Sequence, residues 1–364
     1  MYPLITFFVS ALAVLTSTPL VQRLGLKFGY VDLPGKRKVH QHPIVRVGGI
    51  AIFGGTLSAL LFAAWLGGFG NLPDSEALEV WGLLVGSLGF FLIGLADDIF
   101  QLPPLTRLLL QAIVASLAWS MGVRVEYLPI HFGGAVPIGI LSLPITIIWL
   151  AGVTNAINWI DGLDGLAAGV SAIAASVLFI VCWQHHPTAA LIALALFGAT
   201  LGFLRYNANP AKIFMGDGGA YFIGFTLAGV CVIGLMKDAT LTAVVLPYII
   251  LAVPGADMVR VILARLMDGK SPFFADQNHL HHRLLKAGLS AQSTVWVIYG
   301  LTLWVGSWAI ALSGIGSELI STISTTLLLG FLLWFPTQQL WKQVQSIQVE
   351  PSFVLPSKTP LPQK

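Results

Sequence analysis

The sequence predicts an all-α polytopic membrane protein of about eleven transmembrane helices, with its N-terminus outside and its C-terminus cytoplasmic. Three observations carry that expectation. Of 364 residues, 56% are hydrophobic and only 10% charged, and the mean hydropathy is +0.84, far from a soluble domain. Apolar stretches long enough to cross about 30 Å of hydrocarbon recur from one end of the chain to the other. When they are threaded alternately, Arg124 and Lys237 alone among the 19 Lys and Arg fall outside, the bias that keeps basic loops cytoplasmic.

In chain order, the first stretch, 3–20, lacks the basic flank and the small-residue cleavage site of a signal peptide, and is expected to remain as a helix. A basic connection, 21–46, leads to stretches 47–68 and 79–96, the latter closing on Asp97-Asp98. Arg107 and Gln111 open 107–123. The segment from Arg124 to Pro137 sets turn glycines between short apolar runs and is expected to form an outside hairpin. Stretch 138–155 runs into Asn155, Asn158, Asp161 and Asp164, and is followed by 166–184 and 188–205. The string from Asn209 to Gly219, with Lys212, Phe214 and Asp217, precedes 219–236.

Stretch 240–258 carries Asp257 near its cytoplasmic end, and a second long basic connection, 259–291, holds His279, His281, His282 and Arg283. Stretches 292–313 and 318–335 complete the count. Residues 1–345 are expected to form one membrane domain, with a proline-rich cytoplasmic tail, 346–364, expected to be disordered. Cys182 and Cys231 sit inside apolar stretches, with neither a metal-ligand spacing nor a disulfide framework. Nothing resembles an arginine-rich arm, so no nucleic-acid partner is expected.

Alternate threading delivers the polar clusters to one membrane face. Ionisable residues near membrane depth are costly and mark functional sites. Adjacent carboxylates at 97 and 98 repel unless a cation, a basic contact or a raised pKa relieves them. If helical, Asn155, Asn158, Asp161 and Asp164 recur at i, i+3 and form one polar line. Before a membrane helix, exposed amides and Lys212 suit an anion while Asp217 suits Mg²⁺. Phe214 beside them suits base stacking. Three histidines with Arg283, lacking a cysteine or a His-Glu-x-x-His spacing, suit phosphate or sugar oxygens better than zinc. Asp257 is expected to support or touch the substrate.

These strings resemble the polyprenyl-phosphate N-acetylhexosamine-1-phosphate transferases. The resemblance runs from Lys36-Arg37-Lys38-Val39-His40 and Arg46-Val47-Gly48-Gly49 through Leu285, with four motifs in the family's order. It implies a cytoplasm-facing, Mg²⁺-dependent site, with Mn²⁺ as a substitute ion. There a polyprenyl phosphate attacks the sugar-linked phosphorus of a UDP-N-acetylhexosamine and UMP leaves. By resemblance, Asp97 activates or orients the lipid phosphate, with Asp98 beside it. Asp217 is the principal metal ligand, joined by Asn158. Asp161 and Asp164 shape the nucleotide and sugar pocket, and Phe214 stacks on uracil. His279, His281, His282 and Arg283 hold diphosphate or sugar, and Arg107 meets phosphate. Lys212 and Asn155 complete the expected substrate contacts.

The loop His-Leu-His-His-Arg-Leu-Leu at 279–285 resembles the GlcNAc-1-phosphate branch, acting on undecaprenyl phosphate for cell-envelope polysaccharide, more than the MurNAc-pentapeptide branch. Another UDP-N-acetylhexosamine donor stays open, as does homodimerisation. An ion-coupled transporter is the rival of another class, but it predicts midplane carboxylates and paired broken helices. An intramembrane aspartyl protease is disfavoured, since the string before Asp217 lacks the first glycine of Gly-x-Gly-Asp.

Overall fold

A computed structural model of the chain describes residues 2–33, 42–70, 72–130, 134–237, 240–269, 278–315 and 330. The basic string 36–40, Asp276, Gln277, nearly all of the expected stretch 318–335 and the whole tail lie outside the described residues. Among the described residues the fold is helical. Its elements are α1 (Tyr2–Phe28), α2 (Gly49–Trp65), α3 (Asp74–Phe100), α4 (Pro104–Ser120), α5 (Ser142–Ile160), α6 (Leu166–Cys182), α7 (Pro187–Asn207), α8 (Gly216–Gly234), α9 (Leu241–Ile250), α10 (Ala252–Met267), α11 (Leu280–Lys286) and α12 (Ala291–Leu312). Two small antiparallel pairs accompany them, β1 (Val31–Asp32) with β2 (Ile44–Val45), and β3 (Tyr127–Ile130) with β4 (Gly134–Pro137). The second pair is the hairpin that the glycines of 124–137 predict.

Ten of the eleven expected stretches coincide with described helices. Among the described residues, six helices are long and apolar enough to cross a membrane, and seven if the bent pair α9–α10 counts as one span. Helices α2 and α6 are apolar but 17 residues long. Stretch 240–258 is not one straight span. The chain bends by 74° between α9 and α10. Pro254 lies in the first turn of α10, where its missing N–H costs nothing but its ring opposes a continuous ladder through Ile250.

Helix α8 is the central element, buried along nearly its whole length. It packs on α3, α5, α2, α7 and α6; α1 packs on α7 and α2, and α12 on α6 and α9. Large apolar side chains such as Leu4, Trp81, Ile113 and Ile148 are exposed on the outer helices, as a lipid-facing belt requires. Small residues let helices approach where lipid supplies no hydrophobic drive. Gly49 of α2 lies directly against Gly219 of α8, and Gly94 of α3 against Asp217 and Gly218.

The segment 45–49 is strapped along the start of α8. Val45 O accepts the Phe214 amide at 2.8 Å, while Gly48 N and Gly49 N donate to Phe214 O and Met215 O at 2.9 and 2.8 Å. A side chain at Gly49 has no room in that strap. Gly49→Ala would drive a methyl into the Gly219 backbone, and overpacking of this kind costs about 1–3 kcal/mol. Gly54 of the same helix has nothing within 4 Å of an added methyl. Thermal melts in detergent are expected to place Gly49→Ala several degrees below wild type and Gly54→Ala level with it or above.

Candidate active site

The site forms where α3 ends, α5 ends and α8 begins. Asp97 and Asp98 are the buried last-turn carboxylates of α3, and their oxygens are met in different ways. Asp97 Oδ1 accepts the Leu102 amide at 2.7 Å, and Oδ2 pairs with the Arg107 guanidinium of α4. Asp98 turns towards α8, where Oδ1 accepts the Asp217 amide at 3.1 Å and Oδ2 the Gly218 amide at 2.9 Å. Arg46 Nη2 completes this set, 3.3 Å from Asp98 Oδ1. Asp98 thus caps α8 from a neighbouring helix and meets the partial positive charge of its first amides. The repulsion expected between the two aspartates is relieved by two arginines and three backbone amides.

Asp217 follows Gly216, whose φ of +69° and whose contact with Arg46 O leave no place for a side chain. Asn158 Nδ2 donates to Asp217 Oδ1 at 2.6 Å, and the Asp97 and Asp217 carboxyls lie within hydrogen-bond reach of each other. Tyr221, one turn into α8, meets Arg107. Among the described residues, no three His, Cys, Asp or Glu side chains are placed to cage a metal ion by themselves. The oxygen set of Asp97, Asp217 and the side-chain carbonyl of Asn158 fits a hard cation such as Mg²⁺, which commonly takes one or two carboxylates and completes its shell from phosphates and water.

The polar line expected from 155 to 164 is broken. Helix α5 ends at Ile160, so Asp161 and Asp164 sit on the turn that follows rather than on the same helix face. Successive glycines at 162 and 165 end the helix, the second with φ of +78°. Asp164 Oδ2 accepts from Asn209 Nδ2 and the Ala211 amide, both at 3.0 Å, tying the turn to the loop before α8. Tyr299 of α12 donates to Gly165 O at 2.6 Å and braces the turn from outside. Burial pushes the Asp161 carboxyl up to about 7, and the charges of Asp98 and Asp164 add to it.

Helix α11 lies over this turn. His281 is buried against Gly162, with neither ring nitrogen bonded among the described residues. Burial lowers its pKa to about 4, with His282 and His279 adding to the shift and Asp257 opposing it. The ring is neutral at physiological pH. His279 is buried beside it, His282 is half-buried and Arg283 is exposed. Lys212 is exposed, and Phe214 is half-buried at the strap. Asn155 stands apart from Asn158. Its amide nitrogen is spent on Gln111 Oε1 at 2.8 Å and Ala151 O at 2.7 Å, which joins α5 to α4.

Sequence reasoning assigned no role to Arg46, Tyr221 or Trp159. Arg46 was visible only as a basic residue in the string Arg46-Val47-Gly48-Gly49, Tyr221 sits in an apolar run, and Trp159 lies within the polar string 155–164.

The Asp161 carboxyl yields a pH prediction. Its folded-state pKa lies above the ordinary 3.8, so the native protein keeps a proton that the unfolded chain has lost. Stability therefore falls as pH rises from about 4 to about 7 and is level above that window. Asp161→Asn removes the loss. In melts of purified protein with EDTA, the variant is expected to match wild type at about pH 4 and to exceed it by about 2 °C or more at pH 8. Superimposable curves at pH 8 would contradict a buried charge there.

Comparison with known proteins places this geometry in context. Residues 80–235, which contain Asp97, Asp98, Asn158, Asp161, Asp164 and Asp217, match the family described as glycosyl transferase family 4. The chain is 39% identical over 298 residues to a probable undecaprenyl-phosphate N-acetylglucosaminyl 1-phosphate transferase of Bacillus subtilis, covering 81% of this chain and 80% of the relative. It is 36% identical over 317 residues to a decaprenyl-phosphate N-acetylglucosaminephosphotransferase of Mycolicibacterium smegmatis, covering 80% and 76%. An undecaprenyl-phosphate alpha-N-acetylglucosaminyl 1-phosphate transferase of Yersinia pestis is 28% identical over 344 residues, 90% of each chain. The chain belongs to glycosyl transferase family 4, the polyprenyl-phosphate N-acetylhexosamine-1-phosphate transferases.

Proposed function

We propose that the protein transfers GlcNAc-1-phosphate from UDP-GlcNAc to undecaprenyl phosphate at the cytoplasmic face of the plasma membrane, yielding undecaprenyl-diphosphate-GlcNAc and UMP for cell-envelope polysaccharide. The observation that carries this reading is the convergence of Asp97, Asn158 and Asp217 from three helix ends beside two arginines. The names of the relatives supply the sugar and the lipid. The basic residues near these helix ends, among them Arg46 and Arg107, support the cytoplasmic face.

In this reading an oxygen of the lipid phosphate attacks the sugar-linked phosphorus. The bond from that phosphorus to the bridging oxygen breaks, and UMP leaves with the bonding pair. Phosphoryl transfer of this kind needs little covalent participation by the protein and much positioning of charge. The Asp97 and Asp98 oxygens are engaged by Leu102, Arg107, Arg46 and the α8 amides. Mg²⁺, when bound, supplies charge neutralisation at the diphosphate and at departing UMP. Asp217 would hold it with Asp97, oriented by Asn158. Arg107 sets the Asp97 carboxylate and offers its remaining donors to phosphate. Phe214 supplies the ring for uracil, and Asp161 and Asp164 the polar wall for the nucleotide and sugar. Neutral His281 offers a ring N–H to phosphate or sugar oxygens.

The test is transfer of label from radiolabelled UDP-GlcNAc into undecaprenyl phosphate by purified protein, with UDP-MurNAc-pentapeptide as competing donor. Mg²⁺-dependent lipid labelling with UMP release is expected. Labelling only from the pentapeptide donor, or from neither, would overturn the assignment. Asp217→Asn is expected to lower turnover by about 10²-fold or more while the protein stays folded in detergent. Near-normal turnover would take Asp217 out of the metal site.

A further inference from the structure

Asp257 is a buried carboxylate on α10, outside the cluster of Asp97, Asn158 and Asp217. Burying an ionised carboxylate is tolerable only where its lone pairs are met. Oδ1 accepts the Leu280 amide at 2.7 Å, and Oδ2 lies 2.9 Å from His279 Nδ1. Leu280 begins α11 and His279 is its N-terminal flank, whose own side chain makes no cap. Asp257 therefore caps α11 from a different helix. An ionised carboxylate only accepts, so the nitrogen facing it carries hydrogen, and Nε2 is the nitrogen left for any further partner.

The remaining sides of His279 are held by rings. It meets Trp159 in a T-shaped arrangement at 5.6 Å between centroids, and Arg265 lies over that indole at 5.3 Å. Its face is parallel within 7° to His281, 5.9 Å away. His281 in turn rests on Gly162, between Asp161 and Asp164. A continuous set of contacts thus runs from Asp257 through two imidazoles to the turn that faces the polar cluster. Each Asp257 oxygen thus has a protein partner among the described residues, which suits the supporting role the sequence allows it.

We propose that Asp257 is a positioning residue for the transfer reaction: it fixes the His279 proton on Nδ1 and the pose of α11, so that the histidines meet the donor in one orientation. The proposal rests on the transfer function above. Removing the partner that orients a functional imidazole typically costs 10–100-fold in related metal sites, and a loss of about that size is expected here.

The experiment uses full-length protein in detergent with ¹⁵N-labelled histidine, and His279→Gln identifies the His279 signals. Wild type is expected to show the His279 proton on Nδ1. In Asp257→Asn the side-chain NH₂ faces the ring, the proton moves to Nε2, and kcat falls about 10–100-fold. Asp257→Glu is expected to restore the Nδ1 proton and part of kcat. An unmoved proton in Asp257→Asn, or turnover within about twofold of wild type, would overturn the proposal. If that variant does not fold, wild type decides alone, since a proton on Nε2 there overturns it. The spectrum needs no substrate. Wild type lacking GlcNAc-1-phosphate transfer but holding the Nδ1 proton would remove the donor assignment and uphold the contact.

Discussion

The site depends on the bond between a carboxylate on one helix and the first amides of another. Asp98 receives Asp217 N and Gly218 N, and Arg46 approaches the same carboxylate from the strap before α2. Three segments remote in sequence are thereby joined at one residue. Asp217 cannot be placed independently of Asp98, because its own backbone is the donor. The amides at a helix start have no partner within the helix, and in a protein buried in lipid they must be met by other protein groups. The same requirement that stabilises α8 therefore fixes its first carboxylate.

Charge is divided among the acids by what each one faces. Asp97 faces Arg107, and Asp98 faces Arg46 and helix amides. Asp161 has no such partner among the described residues, and burial with the charges of Asp98 and Asp164 holds its proton. Adjacent carboxylates in the sequence are thus not a pair in function. One stands next to Asp217, while the other supports the helix that carries Asp217. A divalent ion would add to a site whose aspartates 97 and 98 are already neutralised by the protein, which suits reversible loading alongside a phosphate ligand.

Much of this was legible in the sequence, because hydropathy and charge report on lipid contact residue by residue. Ten apolar stretches, the hairpin near 130 and the delivery of polar strings to helix ends all follow from such local properties. The bend after Ile250 was not legible from hydropathy, since both sides of it are apolar. Pro247, Pro254 and Gly255 were the visible signs. The line from Asn155 to Asp164 read as one helix face because i, i+3 spacing persists past the point where Gly162 and Gly165 end the helix. Arg46 resembled an orientation charge, and its ion pair crosses 52 positions of chain that no local pattern connects. The commitment of Asp98 to backbone amides depends on where α8 begins in space, which spacing alone does not report.

The contact of His281 with Gly162 also bears on how such a site can change over time. An imidazole occupies the volume that any side chain at 162 would need. A larger residue at 162 requires the ring at 281 to turn away, to shrink or to move with α11. A change at either position is therefore felt at the other, although they lie 119 positions apart in the chain. Drift along the outer, lipid-facing helices carries no such obligation.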